Sequence, residues 1–321
     1  MELAQAGVPE KALAAVDPLV RDAHLNGSCL CAIADVNGLR LVEHGAEVPP
    51  EDMAMWAPVP HLLPILAWRQ AQPPYVMVLA DRIGADFVTV VRGQPETRSD
   101  AGGATDPVRK VAPGGWSQRR YQQRAENTWE HNATDVAREL EALVDRCRAR
   151  LVLVAGDVRA RQLLRDNLPS EILRRVVEIT GSRSEDGSAE ITAAETANAV
   201  ARAVEEDNAA LVAKFEEERG QRDRAADGIE ETLAALRSAQ AEVLLVSDAF
   251  DRAARGWCGP EAVHVASNPD QLRALGVEEP SEAPLVDVLV RAALGTSAGI
   301  RIVPQGSAPT EGVGAILRWT D

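Results

Sequence analysis

Cysteine and histidine are scarce in this sequence, and those present are poorly placed for metal or redox chemistry. The four cysteines, Cys29, Cys31, Cys147 and Cys258, form no CxxC pair, so the sequence has neither a zinc-ribbon pattern nor a dithiol redox motif. The five histidines stand far apart and make no HExxH, which leaves metal catalysis without a motif. No GxGxxG follows a strand-like run and no GxxxxGKS/T occurs, so dinucleotide and P-loop nucleotide binding lack support and no cofactor is expected. No apolar run approaches the ~20 residues of a membrane span. The N-terminal MELAQAGVPEKALAAVD lacks the basic and apolar regions of a signal peptide, and a reduced, cytoplasmic protein is expected. Positive charge is short as well. A formal net charge of -15 excludes bulk, nonspecific nucleic-acid binding, so any RNA contact has to come from a local basic patch on an acidic body.

One such patch is present. Arg109 to Arg124, RKVAPGGWSQRRYQQR, contains five basic residues, Arg109, Lys110, Arg119, Arg120 and Arg124, and no acid. Gly114-Gly115 admits backbone conformations closed to other residues, and Pro113 stiffens the approach to it, which predicts an exposed, shaped loop. From about Ser117 the apolar residues Ala125, Trp129, Ala133, Val136, Leu140, Leu143 and Cys147 recur three or four apart, the spacing of one helix face. A helix of about 30 residues, roughly 45 Å long, is predicted, its far end in a core and its near end carrying the arginines beneath the loop. For those arginines a solvated helix face and a phosphate contact remain alternatives. Trp116 can stack on a base or fill a hydrophobic cleft.

At 321 residues the chain exceeds what one core usually supports, and its 45% hydrophobic content is ordinary for a globular protein. Three parts are expected: 1–72, a small α+β domain; 73–188, a central domain; and 189–321, a third α/β/α domain. The first contains strands Cys29 to Asp35 and Leu39 to Glu43, turning at Asn37-Gly38 in a type I′ hairpin, then a short helix from His61 to Arg69. Gln72-Pro73-Pro74 ends it. The second opens with strands Tyr75 to Ala80 and Phe87 to Arg92 about a Gly84-Ala85-Asp86 turn, followed by a polar loop from Gln94 to Thr105. Leu151 to Ala155 reads as a strand buried on both faces, Val158 to Leu168 as a helix, and Val176 to Ile179 as the next strand, in parallel pairing. Asp157, at the strand's C-terminal end, is either a ligand-binding acid or the N-cap of that helix. Glu190 to Ala239 is mostly helical, with breaks at Gly220 and Gly228. In the third part, helix Ile229 to Ser238, strands Val243 to Ser247, Ala262 to Ala266, Ile300 to Val303 and Val313 to Trp319, and helix Pro284 to Leu294 alternate as in an α/β/α layer.

PGGWSQRRYQQRAENTWEHNATDVA resembles the segment after the Gly-Gly-Gln loop in the central domain of archaeal and eukaryotic class-I translation termination factors, GGQSxxRFxxxR. LVLVAGDVRARQLLRDNL is similar to that family's strand, glycine and helix, and AEVLLVSD with GVGAILRW resembles the third domain shared with Pelota. The N-terminal 72 residues match poorly. The order of these motifs resembles the bacterial branch of release-factor and Pelota-like proteins, which includes Balon and actinobacterial relatives. The resemblance implies a release-factor-like central α/β domain, a Pelota-like third domain, and a ribosomal A-site factor whose Gly114, Gly115 and Trp116 enter the peptidyl-transferase centre. It implies rRNA contacts from Arg109, Lys110, Arg119, Arg120 and Arg124, and a translational GTPase such as elongation factor Tu as partner. One departure matters. The family's glutamine helps water attack the ester, and here Trp116 stands in its place, with an indole donor but no carbonyl to accept from water. Ester hydrolysis is therefore not expected, no catalytic residue is assigned, and a role in hibernation or stalled-ribosome handling is. The alternatives are a peptidyl-tRNA hydrolase with altered loop chemistry and an α/β stress protein that does not bind ribosomes. No membrane or DNA partner is expected.

Overall fold

The computed structural model describes residues 7–23, 29–45, 52–81, 83–91, 96–102, 132–181, 189–221 and 223–320. The chain is α/β and multidomain, and it divides into two compact units. One is Ala71–Glu205; the other combines Met1–Gln70 with Glu206–Asp321.

The first unit is a five-stranded mixed sheet. Its strands are β3 (Tyr75–Ala80), β4 (Gly84–Val90), β5 (Thr97–Gly102), β6 (Leu151–Gly156) and β7 (Val176–Glu178), in the order β5-β4-β3-β6-β7. β6 pairs parallel with β3 and with β7, as the buried apolar run predicts. One face carries Val76, Val78, Phe87, Val152 and Val154. It is covered by Val136, Leu140 and Val144 of helix α3 (132–147) and by Ala160 and Leu164 of α4 (Val158–Asp166). Leu151, Leu153 and Ala155 pack on the other face with Ala199 and Ala203 of α6 (Ala189–Gln221), a 33-residue helix; the short α5 (Ser170–Leu173) precedes β7. Two expectations need correction. Gly84-Ala85-Asp86 is not a turn but the start of β4, because Asp81 makes the turn: its Oδ1 accepts from the N–H groups of Ile83 at 2.7 Å and Gly84 at 2.9 Å. The polar stretch 94–105 is not simply a loop, since Thr97–Gly102 pairs antiparallel with β4 as an edge strand.

In the other unit, α1 (Glu10–Ala23) packs on the hairpin β1 (Cys29–Asp35) and β2 (Gly38–Gly45). The hairpin turn differs from the expected type I′. Asp35 pairs with Gly38 across a two-residue loop, and only Gly38 there has positive φ, at 116°, so Asn37 does not take the left-handed conformation that type I′ demands. Asp35 Oδ1 instead holds the turn by accepting from the Asn37 N–H at 2.7 Å. Helix α2 (Leu63–Ala71) follows, and its Arg69 pairs with Glu43 of the hairpin.

The C-terminal part of this unit is an α/β/α sandwich. Its sheet runs β13 (Gly299–Val303), β9 (Ala241–Ser247), β14 (Val313–Leu317), β8 (Ala225–Asp227), with β13 and β9 parallel. Helices α7 (Ile229–Arg237) and α9 (Leu285–Gly295) pack on Leu244, Val246 and Ala315. Phe215 of α6 meets Leu245, Val303 and Ile316 on the opposite face. Val59, Leu62, Leu63 and Leu66 join the α7 and α9 core. A small sheet of β11 (Val265–Ala266), β10 (Arg255–Cys258) and β12 (Ser281–Pro284) and the helix α8 (Pro269–Ala274) complete the unit. Among the described residues no helix is long and apolar enough to cross a membrane.

Candidate functional site

The residues singled out by sequence, Arg109, Lys110, Gly114, Gly115, Trp116, Arg119, Arg120 and Arg124, all lie in 103–131, outside the described residues. The described residues do include the platform that this segment leaves and rejoins. It departs after Gly102, which pairs with Gly84, and returns at Asn132. Ala80 pairs with Ala85 on one side and with Gly156 on the other, so departure point and the C-terminal ends of the two parallel strands form one edge. That edge is where open α/β sheets present ligand-binding loops.

Three local devices make the edge rigid. Gly156 has φ +115°, and a Cβ there would sit 1.9 Å from the Ala80 carbonyl oxygen, so only glycine allows β6 to turn here while the Asp157 N–H donates to that same oxygen at 2.9 Å. Asp157 Oδ1 accepts from the N–H groups of Arg159 at 2.9 Å and Ala160 at 3.2 Å, which makes it the N-cap of α4. Asn132 Nδ2 donates to the Ile83 carbonyl at 2.9 Å, tying the first described turn of α3 to the β3–β4 turn, and Thr134 donates to Asn167 at 3.1 Å. The cleft enclosed by Ala80, Asp81, Gly84, Asn132, Val136, Ala160 and Leu164 holds only about 20 Å³. That is room for about one water, far below the roughly 300 Å³ of a small-molecule pocket. Asn132 and Asp157 thus tie the first described turn of α3 and the start of α4 to this edge.

Elsewhere the described residues offer little nucleophilic or metal chemistry. Burial raises the pKa of the thiols of Cys31, Cys147 and Cys258, which keeps them protonated and weakly reactive near neutrality; Cys29 adds to the rise at Cys31. Among the described residues no group of three or more His, Cys, Asp or Glu could hold a metal ion. Arg318, the arginine of the ILR pattern, is a structural clamp: it donates to the carbonyls of Ala239 at 3.1 Å, Thr296 at 3.1 Å and Ser297 at 2.8 Å, closing the ends of α7 and α9. Several acids of the charged helices are also used internally. Glu218 pairs with Arg224 at 2.6 Å, Glu216 pairs with Arg219, and Glu231 accepts from the Asp227 N–H at 2.9 Å.

Two polar features escaped sequence reading. His61 Nδ1 lies 2.7 Å from Oδ1 of Asp287, which is wholly buried in α9. The two residues are 226 positions apart, so no local pattern could have joined them. The second is a group of arginines, Arg146, Arg148, Arg150, Arg174 and Arg175, at the N-terminal ends of β6 and β7. Its signal was present in the runs RCRAR and RR, which only the parallel pairing of those strands brings together.

The model of the bacterial archaeo-eukaryotic release factor family 2 matches residues 74–221. The uncharacterized protein Rv2629 of Mycobacterium tuberculosis H37Rv is 30% identical over 284 residues, 86% of this chain and 74% of that protein, and MT2704 of strain CDC 1551 matches to the same extent. Among solved structures, Archaeoglobus fulgidus Pelota is similar at 18% identity, covering 80% of this chain and 68% of that one, with a TM-score of 0.37. S. cerevisiae Dom34, described as a translation termination-like factor involved in RNA quality control pathways and interacting with Hbs1, is 11% identical, covering 80% and 67%, with a TM-score of 0.44.

Proposed function

The chain belongs to the bacterial archaeo-eukaryotic release factor family 2, and from that membership we propose that it is a ribosome-binding translation factor that occupies the A site without releasing peptide. Its role is in ribosome hibernation or in the handling of stalled ribosomes. The observation that carries this reading is the family match over 74–221, the stretch that holds Gly114, Gly115 and Trp116. In this reading the Gly-Gly loop reaches the peptidyl-transferase centre, and Arg109, Lys110, Arg119, Arg120 and Arg124 contact rRNA phosphates. The rigid platform described above supports the helix that delivers them. Trp116 supplies bulk and a single donor where peptide release requires a group that also accepts from water. The parts 1–72, 73–188 and 189–321 serve respectively toward the decoding centre, toward the large subunit and toward a translational GTPase such as elongation factor Tu, in the cytoplasm.

The test is cosedimentation with 70S ribosomes whose A sites are empty or occupied, paired with a peptidyl-tRNA hydrolysis assay. Retention on empty A sites only, with hydrolysis at the background rate, is the expected result. Failure to bind, or binding indifferent to A-site occupancy, overturns the placement, and clear hydrolysis by the wild-type protein overturns the noncatalytic assignment.

A further inference from the structure

The arginine group stands at the other end of the Ala71–Glu205 unit, away from the edge that the Gly-Gly segment leaves. α3 ends at 147, and β6 begins at Leu151 directly beneath it. Arg148 stands between them with φ 51°, the left-handed conformation that closes a helix, its N–H donating to the Asp145 carbonyl while the Ala149 N–H donates to Val144 at 2.9 Å. Glycine is the usual occupant of that position because every other residue is strained there. The equivalent places after α7 and α9 hold the small residues Ala239 and Ser297. Here a long cation is kept instead, and it is exposed.

Four further arginines lie near it, along the chain or across the β6–β7 pairing. Arg150 directly precedes β6, whose Val152 pairs with Val176 of β7, and Arg174 closes the short helix α5 in helical conformation, φ -65° and ψ -19°, two residues ahead of Val176. Arg175 donates to the Ala149 carbonyl at 2.9 Å, which fixes its guanidinium at the helix end. Arg146 is exposed and lies 4.0 Å from Glu139. Arg148 and Arg174 make no side-chain hydrogen bond or ion pair among the described residues. Arg148, Arg150 and Arg175 line an open cleft of about 540 Å³ together with Val144, Ala149 and one acid, Asp145. On a chain of net charge -15 this concentration of one sign is local and built from two separate stretches, Arg146 to Arg150 and Arg174-Arg175.

We propose that this surface is a second RNA contact, in which Arg148 and the neighbouring exposed Arg174 bind backbone phosphates of a folded RNA and Arg150 and Arg175 shape the cleft beside Arg148. Guanidinium groups present planar donor forks that match phosphate oxygens, and folded RNA is grasped through its phosphates and 2′-hydroxyls rather than through its base edges. The surface lies at the N-terminal ends of β6 and β7, while the Gly-Gly segment leaves from the C-terminal edge of the same sheet; β6 spans roughly 17 Å between them. The protein thus holds RNA at two ends of one rigid unit. The proposal deepens the ribosome-binding reading and rests on it for the identity of the RNA.

Arg148→Gly combined with Arg174→Gln tests it in the full chain. The first change removes a cation and relieves the left-handed strain, so lost binding cannot be attributed to a weakened fold, and an unchanged or raised melting temperature verifies this. Binding is measured to 70S ribosomes and, separately, to protein-free 23S rRNA between about 50 and 200 mM salt. Removing two phosphate contacts should flatten the slope of log K against log salt by about 1.8, so that the affinity gap between wild type and variant narrows about twelvefold over that range. An unchanged slope and affinity on both RNAs overturns the proposal. If the wild type binds 23S rRNA but not ribosomes, the ribosomal reading fails while the slope on free rRNA still decides this one; if it binds neither, both fall. Unchanged RNA binding together with lost binding to polyglutamate reassigns the surface to an acidic protein partner and overturns the RNA assignment.

Discussion

Replacing His61 by alanine should open the unit that contains it. Asp287 is 0% exposed, and its Oδ1 takes the imidazole contact at 2.7 Å while Oδ2 accepts no hydrogen bond from the described residues. His61 is itself only 12% exposed at its side chain, so solvent offers the acid little substitute once the ring is gone. Removing one partner of a buried pair costs about 3–5 kcal/mol, because it strands a buried polar group, and a whole domain is stable by only about 5–15 kcal/mol. Cys258 reports the consequence. It is 4% exposed and belongs to the same core as Val59, Leu285 and Leu289. In a chain whose other three cysteines are alanine, its alkylation under native conditions measures local opening, and 3–5 kcal/mol corresponds to acceleration of roughly a hundredfold to several thousandfold. Replacing both residues, His61→Leu with Asp287→Leu, should restore much of the protection, since an apolar pair strands nothing. Labelling of His61→Ala at the wild-type rate, or a double variant no better protected than the single, would refute the reasoning.

Two further outcomes follow from the geometry. Gly156→Ala should destabilise the Ala71–Glu205 unit by about 3 kcal/mol or more, through a disallowed φ and a clash with the Ala80 carbonyl, and circular dichroism melting should show the loss. The folded pKa values of Cys31, Cys147 and Cys258 are raised by burial, so the folded state holds these protons longer than the unfolded chain does. Their stabilising contribution is full below the ordinary thiol pKa and fades as pH rises through the folded values; urea midpoints should fall above about pH 9, and a triple alanine variant should show a shallower alkaline slope, with Tyr75, likewise raised by burial, supplying part of what remains.

The parts of the fold that were legible are those where burial writes a pattern into consecutive residues. Leu151 to Ala155 announced a strand covered on both faces, and Ala133, Val136, Leu140 and Leu143 announced the buried stripe of α3. Thr97–Gly102 was missed because an edge strand of Thr, Arg, Ser and Asp buries no alternate face that could mark it. Gly84 suggests a turn because glycine is permissive in a turn and in a strand alike; the turn instruction lies in the Asp81 side chain. The Asn37-Gly38 pair was placed one residue late for a similar reason, with Asp35 setting the turn. For the site, the basic loop could be read as one continuous run, whereas the Arg148 and Arg174 group is assembled by strand pairing and has no contiguous signature. His61 and Asp287 are further still from legibility, each an ordinary residue until the chain folds.

The discontinuous unit has a consequence for how the protein is made. Val59, Leu62, Leu63 and Leu66 find their partners on α7 and α9, and Gln70 exchanges hydrogen bonds with Ile302 at 2.6 and 2.8 Å, yet the 135 residues from 71 to 205 are translated in between. At about 5–20 residues per second that interval alone lasts roughly 7 to 27 seconds. Through it, a nascent apolar segment waits on the ribosome with its core unfinished, available to chaperones or to other nascent chains. Each pause within those codons lengthens the wait.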